Sequence, residues 1–177
     1  MADKNLFLKN YSFYGKHADM VDALIGKIDE DSGTSIFSIV IDLFIMSAIV
    51  GVKNNHKSKP DSDKTRDKKI LAEQFNSHSH DVKTAFKFVT LLGNKEKFDE
   101  LTRLNKTFRN PETDENYQEF EEYMLGGLED IYNKFMVSTN TNYSDYLTTL
   151  NQFISEMGSA EEEHEEDQIP DADNLFD

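Results

Sequence analysis

Apolar residues recur along this chain at helical rather than alternating intervals. Tyr14, His17, Val21, Leu24, Ile25 and Ile28 keep a three- and four-residue rhythm, which predicts a helix over about 13–30, broken by residues 29–33. Residues 36–52, IFSIVIDLFIMSAIVGV, are apolar on nearly every side and predict a central buried helix, with Ser35 as its N-cap. Two further helices are expected at 63–77 (Ile70, Leu71, Phe75) and 80–92 (Val82, Ala85, Phe86, Val89, Leu92), the second ended by Gly93. A short one follows Asn94 with Phe98, Leu101 and Leu104. The longest run begins at Thr113 and keeps Tyr117, Phe120, Met124, Leu128, Ile131 and Phe135 in step. A last helix over about 143–157 uses Leu147, Leu150, Ile154 and Met157. No alternating run is long enough to read as a strand, and no solenoid repeat is visible. The fold expected is all-α, a compact bundle of six to seven helices.

Two features interrupt this pattern. Gly126 and Gly127 sit inside the strongest helix, where each glycine costs about 1 kcal/mol relative to alanine. Close approach of another helix backbone would offset that cost; a notch that kinks the helix or receives a partner is the other explanation. Asp42 falls within the most apolar segment and, if buried, needs a hydrogen bond or a cation from the basic middle of the chain. That segment, residues 36–52, is 17 residues long and carries Asp42, Ser38 and Ser47, so it is read as core and not as a membrane span.

Charge is sorted along the chain. The total is −15, but residues 53–109 hold 14 basic and 8 acidic side chains, whereas 110–177 hold one basic residue, Lys134, and 19 acidic ones. Residues 161–167, EEEHEED, combine repulsion with too few apolar groups to offset the entropy of ordering. We therefore expect a helical domain at 1–157 and a disordered acidic tail at 158–177, in which Leu175 and Phe176 are apolar anchors for a partner. The basic middle, with Lys53, Lys57, Lys59, Lys64, Arg66, Lys68 and Lys69, is a candidate nucleic-acid surface, since neutralising phosphates releases counterions. Pairing of the same residues with the acidic helix at 113–135 is the alternative.

The chain has no cysteine, which excludes disulfides, thiolate metal sites and cysteine nucleophiles. The opening MADKNLFLKNYSF contains no leader-like run, and a cytoplasmic protein is expected. His78, His80 and Asp81 form HSHD, which invites comparison with the HD-type metal-dependent phosphohydrolases; His80 and Asp81 would be ligands, with His17 or His56 and Asp130 or Asp145 as the others. Phosphate-binding loops, nucleophile elbows and zinc-protease motifs are absent, and only three arginines are present. These absences favour binding over catalysis, with no cofactor.

Two stretches carry a resemblance. Residues 40–61, VIDLFIMSAIVGVKNNHKSKPD, follow a helix-Gly-Lys-Asn-basic loop-Pro-Asp pattern, and residues 120–132, FEEYMLGGLEDIY, resemble an F-E-x-Y-x-x-G-G-L-E helix. Together they are similar to small accessory proteins associated with bacterial DNA phosphorothioation (Dnd-type) and related phage-defence systems. The resemblance implies a bacterial accessory component of DNA modification or restriction and transfers no catalytic residue. A protein partner is therefore expected, with DNA contact through the basic middle. The competing expectations are an acidic inhibitor or DNA mimic and the metal hydrolase.

Overall fold

The computed structural model describes residues 7–27, 33–137 and 143–159. Their elements run β1 (Tyr11–Tyr14), α1 (Lys16–Ile25), α2 (Val40–Lys53), β2 (Asp67–Ile70), α3 (Ala72–Ser77), α4 (Ser79–Leu92), α5 (Glu100–Phe108), α6 (Asp114–Tyr132) and α7 (Tyr143–Gly158). A π-helical turn, Asn133–Val137, extends α6. The architecture is all-α in character, helices packed around a central pair. The acidic segment beyond Ser159, with Leu175 and Phe176, lies outside the described residues, as do residues 28–32.

That central pair is α2 and α6, which make the most extensive contact among the described elements. Small residues set their spacing. A Cβ on Gly51 would overlap the carbonyl oxygen of Tyr123, and one on Gly127 would overlap the carbonyl oxygen of Ser47. Gly126 faces the other way, against the carbonyl of His56 in the loop after α2. The paired glycines are therefore internal: one admits a helix backbone, the other a loop backbone. The seam is flanked by aromatic rings, with Phe44 centred 5.4 Å from Phe75 and 5.5 Å from Phe120.

The end of α2 follows from its sequence. Asn55 takes a left-handed conformation (φ 49°), the His56 amide donates to the Gly51 carbonyl at 2.9 Å, and the Asn55 amide donates to Val52 at 3.3 Å. This pair of bonds satisfies carbonyls that the helix leaves unpaired and turns the chain back over α6. The Ser58 amide then donates to the Glu122 carbonyl at 2.9 Å, so the loop lies along α6.

Several expectations are corrected. A two-stranded antiparallel ribbon is present, pairing Tyr11 with Ile70 and Tyr14 with Asp67. It takes the first two residues of the helix predicted over 13–30 and replaces the first half of the one predicted over 63–77. Four residues per strand, one strand reading DKKI, give too little alternation to detect. Helix α2 begins at Val40 with Ile39, not Ser35, at the N-cap. Asp42 consequently occupies the first turn, exposed, where a carboxylate complements the helix dipole.

Two helices turn their apolar stripe outward. In α5 the inward side chains are polar: Thr107 is buried, and the Arg103 guanidinium donates to the Leu91 carbonyl at 2.7 Å. Leu101, Leu104 and Phe108 face solvent, Leu101 at 69% and Phe108 at 61% exposure. In α7, Phe153 packs on Phe135 with ring centres 5.5 Å apart, while Leu147, Leu150 and Ile154 are exposed. The spacing of these residues predicts both helices but does not say which way the apolar side turns.

Candidate functional site

A dense polar cluster is built where α1, the loop after α2 and the C-terminal half of α6 meet. Its hub is Glu129, two residues beyond Gly127. Glu129 accepts from Lys16 Nζ at 2.8 Å, from Ser58 Oγ at 2.6 Å and from His17 Nε2 at 2.9 Å, all on Oε1. His56 approaches its other oxygen at 3.9 Å and bonds Asp130 Oδ1 through Nδ1 at 2.7 Å. Asn54 donates to Asp130 Oδ2 at 2.8 Å. Asp61 closes the loop on α1 by accepting from the Lys16 backbone amide at 2.9 Å.

The electrostatics of the hub follow from these contacts. Partial burial alone would raise the Glu129 carboxyl, but hydrogen bonds from Lys16, Ser58 and His17 and the Lys16 charge outweigh it and hold the group at about 2. His17 is fully buried, and burial pushes its imidazole pKa down despite the bond to Glu129. A carboxylate can only accept, so Nε2 carries the proton and Nδ1 is bare; no protein group among the described residues donates to Nδ1. The cluster is an anchored ion-pair network with a neutral histidine at its base. Such a network fixes the loop over α6, with His56 at its exposed edge.

The candidate residues for nucleic-acid contact are placed mostly in intramolecular pairs. Lys53 donates to the Glu156 carbonyl. Lys57 donates to Asn94 at 2.8 Å, lies over the Tyr123 ring and stands 3.8 Å from Glu119. Lys64 lies over the Tyr14 ring. Arg66 pairs with Asp19 at 2.6 Å, Lys68 with Asp22 at 2.7 Å and Lys69 with Asp67 at 3.0 Å. Lys59 is exposed without an acidic partner among the described residues. Pairing therefore dominates in this segment, but as much with α1 as with α6. Further along, Lys97 and Lys106 both reach Glu115, at 3.5 and 3.2 Å.

His80 and Asp81 sit exposed in the first turn of α4, apart from the histidines the hydrolase reading would enlist. His17 and His56 instead meet at Glu129 and Asp130. Among the described residues no group of three or more His, Asp or Glu side chains is disposed to hold a metal ion. No helix among them is long and apolar enough to cross a membrane.

From the sequence, His17 stands out as part of the first helical rhythm and, with His56 and Asp130, as a candidate metal ligand, whereas Glu129 and Ser58 do not stand out. One signal was available: the motif stretches 40–61 and 120–132 pack directly on each other, with Glu129 ending the Gly-Gly-Leu-Glu run. No curated protein and no solved structure matches the chain. A family model described as DNA sulphur modification system-associated protein 4 matches residues 15–171, a span that includes the α2–α6 pair, the Glu129 hub and the acidic run at 161–167. By that match the chain belongs to the family of DNA sulphur modification system-associated proteins.

Proposed function

We propose that this protein is a non-enzymatic, cytoplasmic accessory component of a bacterial DNA sulphur modification or restriction system, acting by docking on another protein of that system. The observation that carries the reading is the outward apolar stripe of α5, Leu101, Leu104 and Phe108, on a helix whose inward face is polar. Burying such a stripe is worth about 25 cal/mol for each Å² removed from water, and a partner protein supplies the apolar surface that DNA phosphates lack. The anchored Glu129 hub supports the same reading, because it holds the loop after α2 in place on the scaffold.

The test is co-purification of the full chain with the proteins of a DNA sulphur modification system. The double substitution Leu101→Glu, Phe108→Glu is expected to abolish the complex with the circular dichroism and unfolding midpoint unchanged. A complex that survives this substitution removes the docking assignment.

Direct DNA contact is a second reading. Its support includes four exposed lysines that have no acidic partner among the described residues, Lys59, Lys83, Lys87 and Lys95. Reversing these four is expected to flatten the slope of log affinity against log salt by about one for each phosphate no longer neutralised. Reversing the paired Arg66 and Lys68 should change it less. Absence of DNA binding by the natural chain at low salt ends this reading.

A further inference from the structure

A surface cavity of about 310 Å³ opens where the C-terminal ends of α2 and α4 come together, lined by Lys53, Asn55, Asn94, Lys95 and Lys97, with Glu96 as its one acid. Its walls are fixed. Asn55 and Asn94 are the only non-glycine residues with positive φ among the described residues, both at 49°. The Tyr123 hydroxyl ties them together, donating to Asn55 Oδ1 at 3.1 Å and accepting from the Asn94 amide at 3.2 Å. Two left-handed residues stitched by one buried phenol make a preformed recess that needs no rearrangement to receive a ligand.

The end of α7 arrives at this recess. The Lys53 ammonium donates to the Glu156 carbonyl, and Lys134 pairs with the Glu156 carboxylate. Ser159 is three residues further on, and Glu161, Glu162 and Glu163 follow at once. Four extended residues span up to about 14 Å, so these carboxylates are held by a short tether to the Lys53 side of the recess. Lys95 has no acidic partner among the described residues, and Lys97 holds Glu115 only at 3.5 Å, both being exposed.

We infer that the acidic run 161–163 docks, within the same chain, into the cavity lined by Lys53, Lys95 and Lys97. A tether this short gives the run an effective concentration in the millimolar range, which favours it over a free anion or a second copy. The contact is Coulombic and close to solvent, so it weakens with salt. This inference stands independently of the docking role assigned to α5.

The experiment uses the full chain, labelled with nitrogen-15, and compares it with the variant Glu161→Gln, Glu162→Gln, Glu163→Gln by amide chemical shifts. In the docked case, shifts in the folded body move at Asn55 and at residues 94–97, independently of protein concentration, and raising salt to about 0.5 M reproduces the change. Changes confined to residues 160–177, or spread equally over Lys59, Lys83 and Lys87, would falsify the assignment. Carbodiimide coupling of mixed nitrogen-14 and nitrogen-15 chains gives the second readout. Crosslinks from Glu161, Glu162 and Glu163 to Lys95 and Lys97 are expected within single chains at least about fivefold more often than between chains. A majority between chains assigns the recess to a second copy and overturns the proposal.

Discussion

Glu129 and His17 form the buried polar unit on which the loop after α2 depends, and their protonation gives it a pH signature. Glu129→Gln removes a charge that three donors share; at neutral pH it is expected to cost about 1–3 kcal/mol in chemical denaturation. Both groups have a folded pKa below the unfolded one, so the unfolded chain takes up the proton first and acid favours unfolding. The His17 contribution is complete above about pH 6.5 and declines below it. The Glu129 contribution declines between its unfolded value of 4.5 and its folded value of about 2. Glu119 and Glu121 run the opposite way, since burial raises both carboxyls and acid relieves their cost. Stability curves against pH for the natural chain and His17→Gln should therefore converge as pH falls from about 7 to 5. Parallel curves would mean that His17 titrates alike in both states. Gly127→Ala belongs to the same scale: its Cβ has nowhere to go, and a loss of about 1–3 kcal/mol or more is expected. Gly158→Ala, with nothing nearby, should stay within about 1 kcal/mol and serves as its control.

Among the elements, α4 and α6 were legible because each buries one side of a regular pattern, and α2 because it is apolar on nearly every side. Helix α6 kept its rhythm from Tyr117 through Ile131, and Thr113 caps it as Ser and Thr do elsewhere, its side chain accepting from the Asn116 amide. The ribbon was not legible, because Tyr11 and Phe13 are its only strongly apolar alternation and their partners are Ile70 and Lys68. Nor could spacing assign a direction to α5 and α7: periodicity reports that a stripe exists, and only neighbours decide whether it is covered. Helix α1 has a dependence of its own. It lacks a side-chain cap at Gly15, and a carboxylate 45 residues away, Asp61, bonds its first amide. Asp61→Ala is expected to accelerate hydrogen exchange at the amides of residues 16–19 while leaving those of α6 unchanged. Uniform acceleration would assign Asp61 a global role instead.

At the scale of the whole molecule, the sequence separates charges that the fold largely brings back together. Lysines and arginines of 57–106 meet Asp19, Asp22, Glu115 and Glu119, pairs worth at most about 1 kcal/mol each at the surface. The prominent blocks of charge were visible at once; their partners were not, because pairing depends on which loop lies over which helix. The segment after Ser159 adds a further block, nine of the 34 acidic residues. Deleting 160–177 takes the net charge from −15 to −6, as nine acids and no lysine or arginine are removed. If DNA is a ligand, its affinity should rise on this deletion, as measured by anisotropy at low salt. If the chain acts as an acidic mimic, binding to a basic protein should fall instead.

The glycine seam between α2 and α6 limits how such a molecule can respond to anything it touches. Carbonyl oxygens stand where methyl groups would be, so neither rod can rotate or slide without collision. Any message passed between components must travel through the periphery, by loops and side chains exchanging places around a spindle that does not turn.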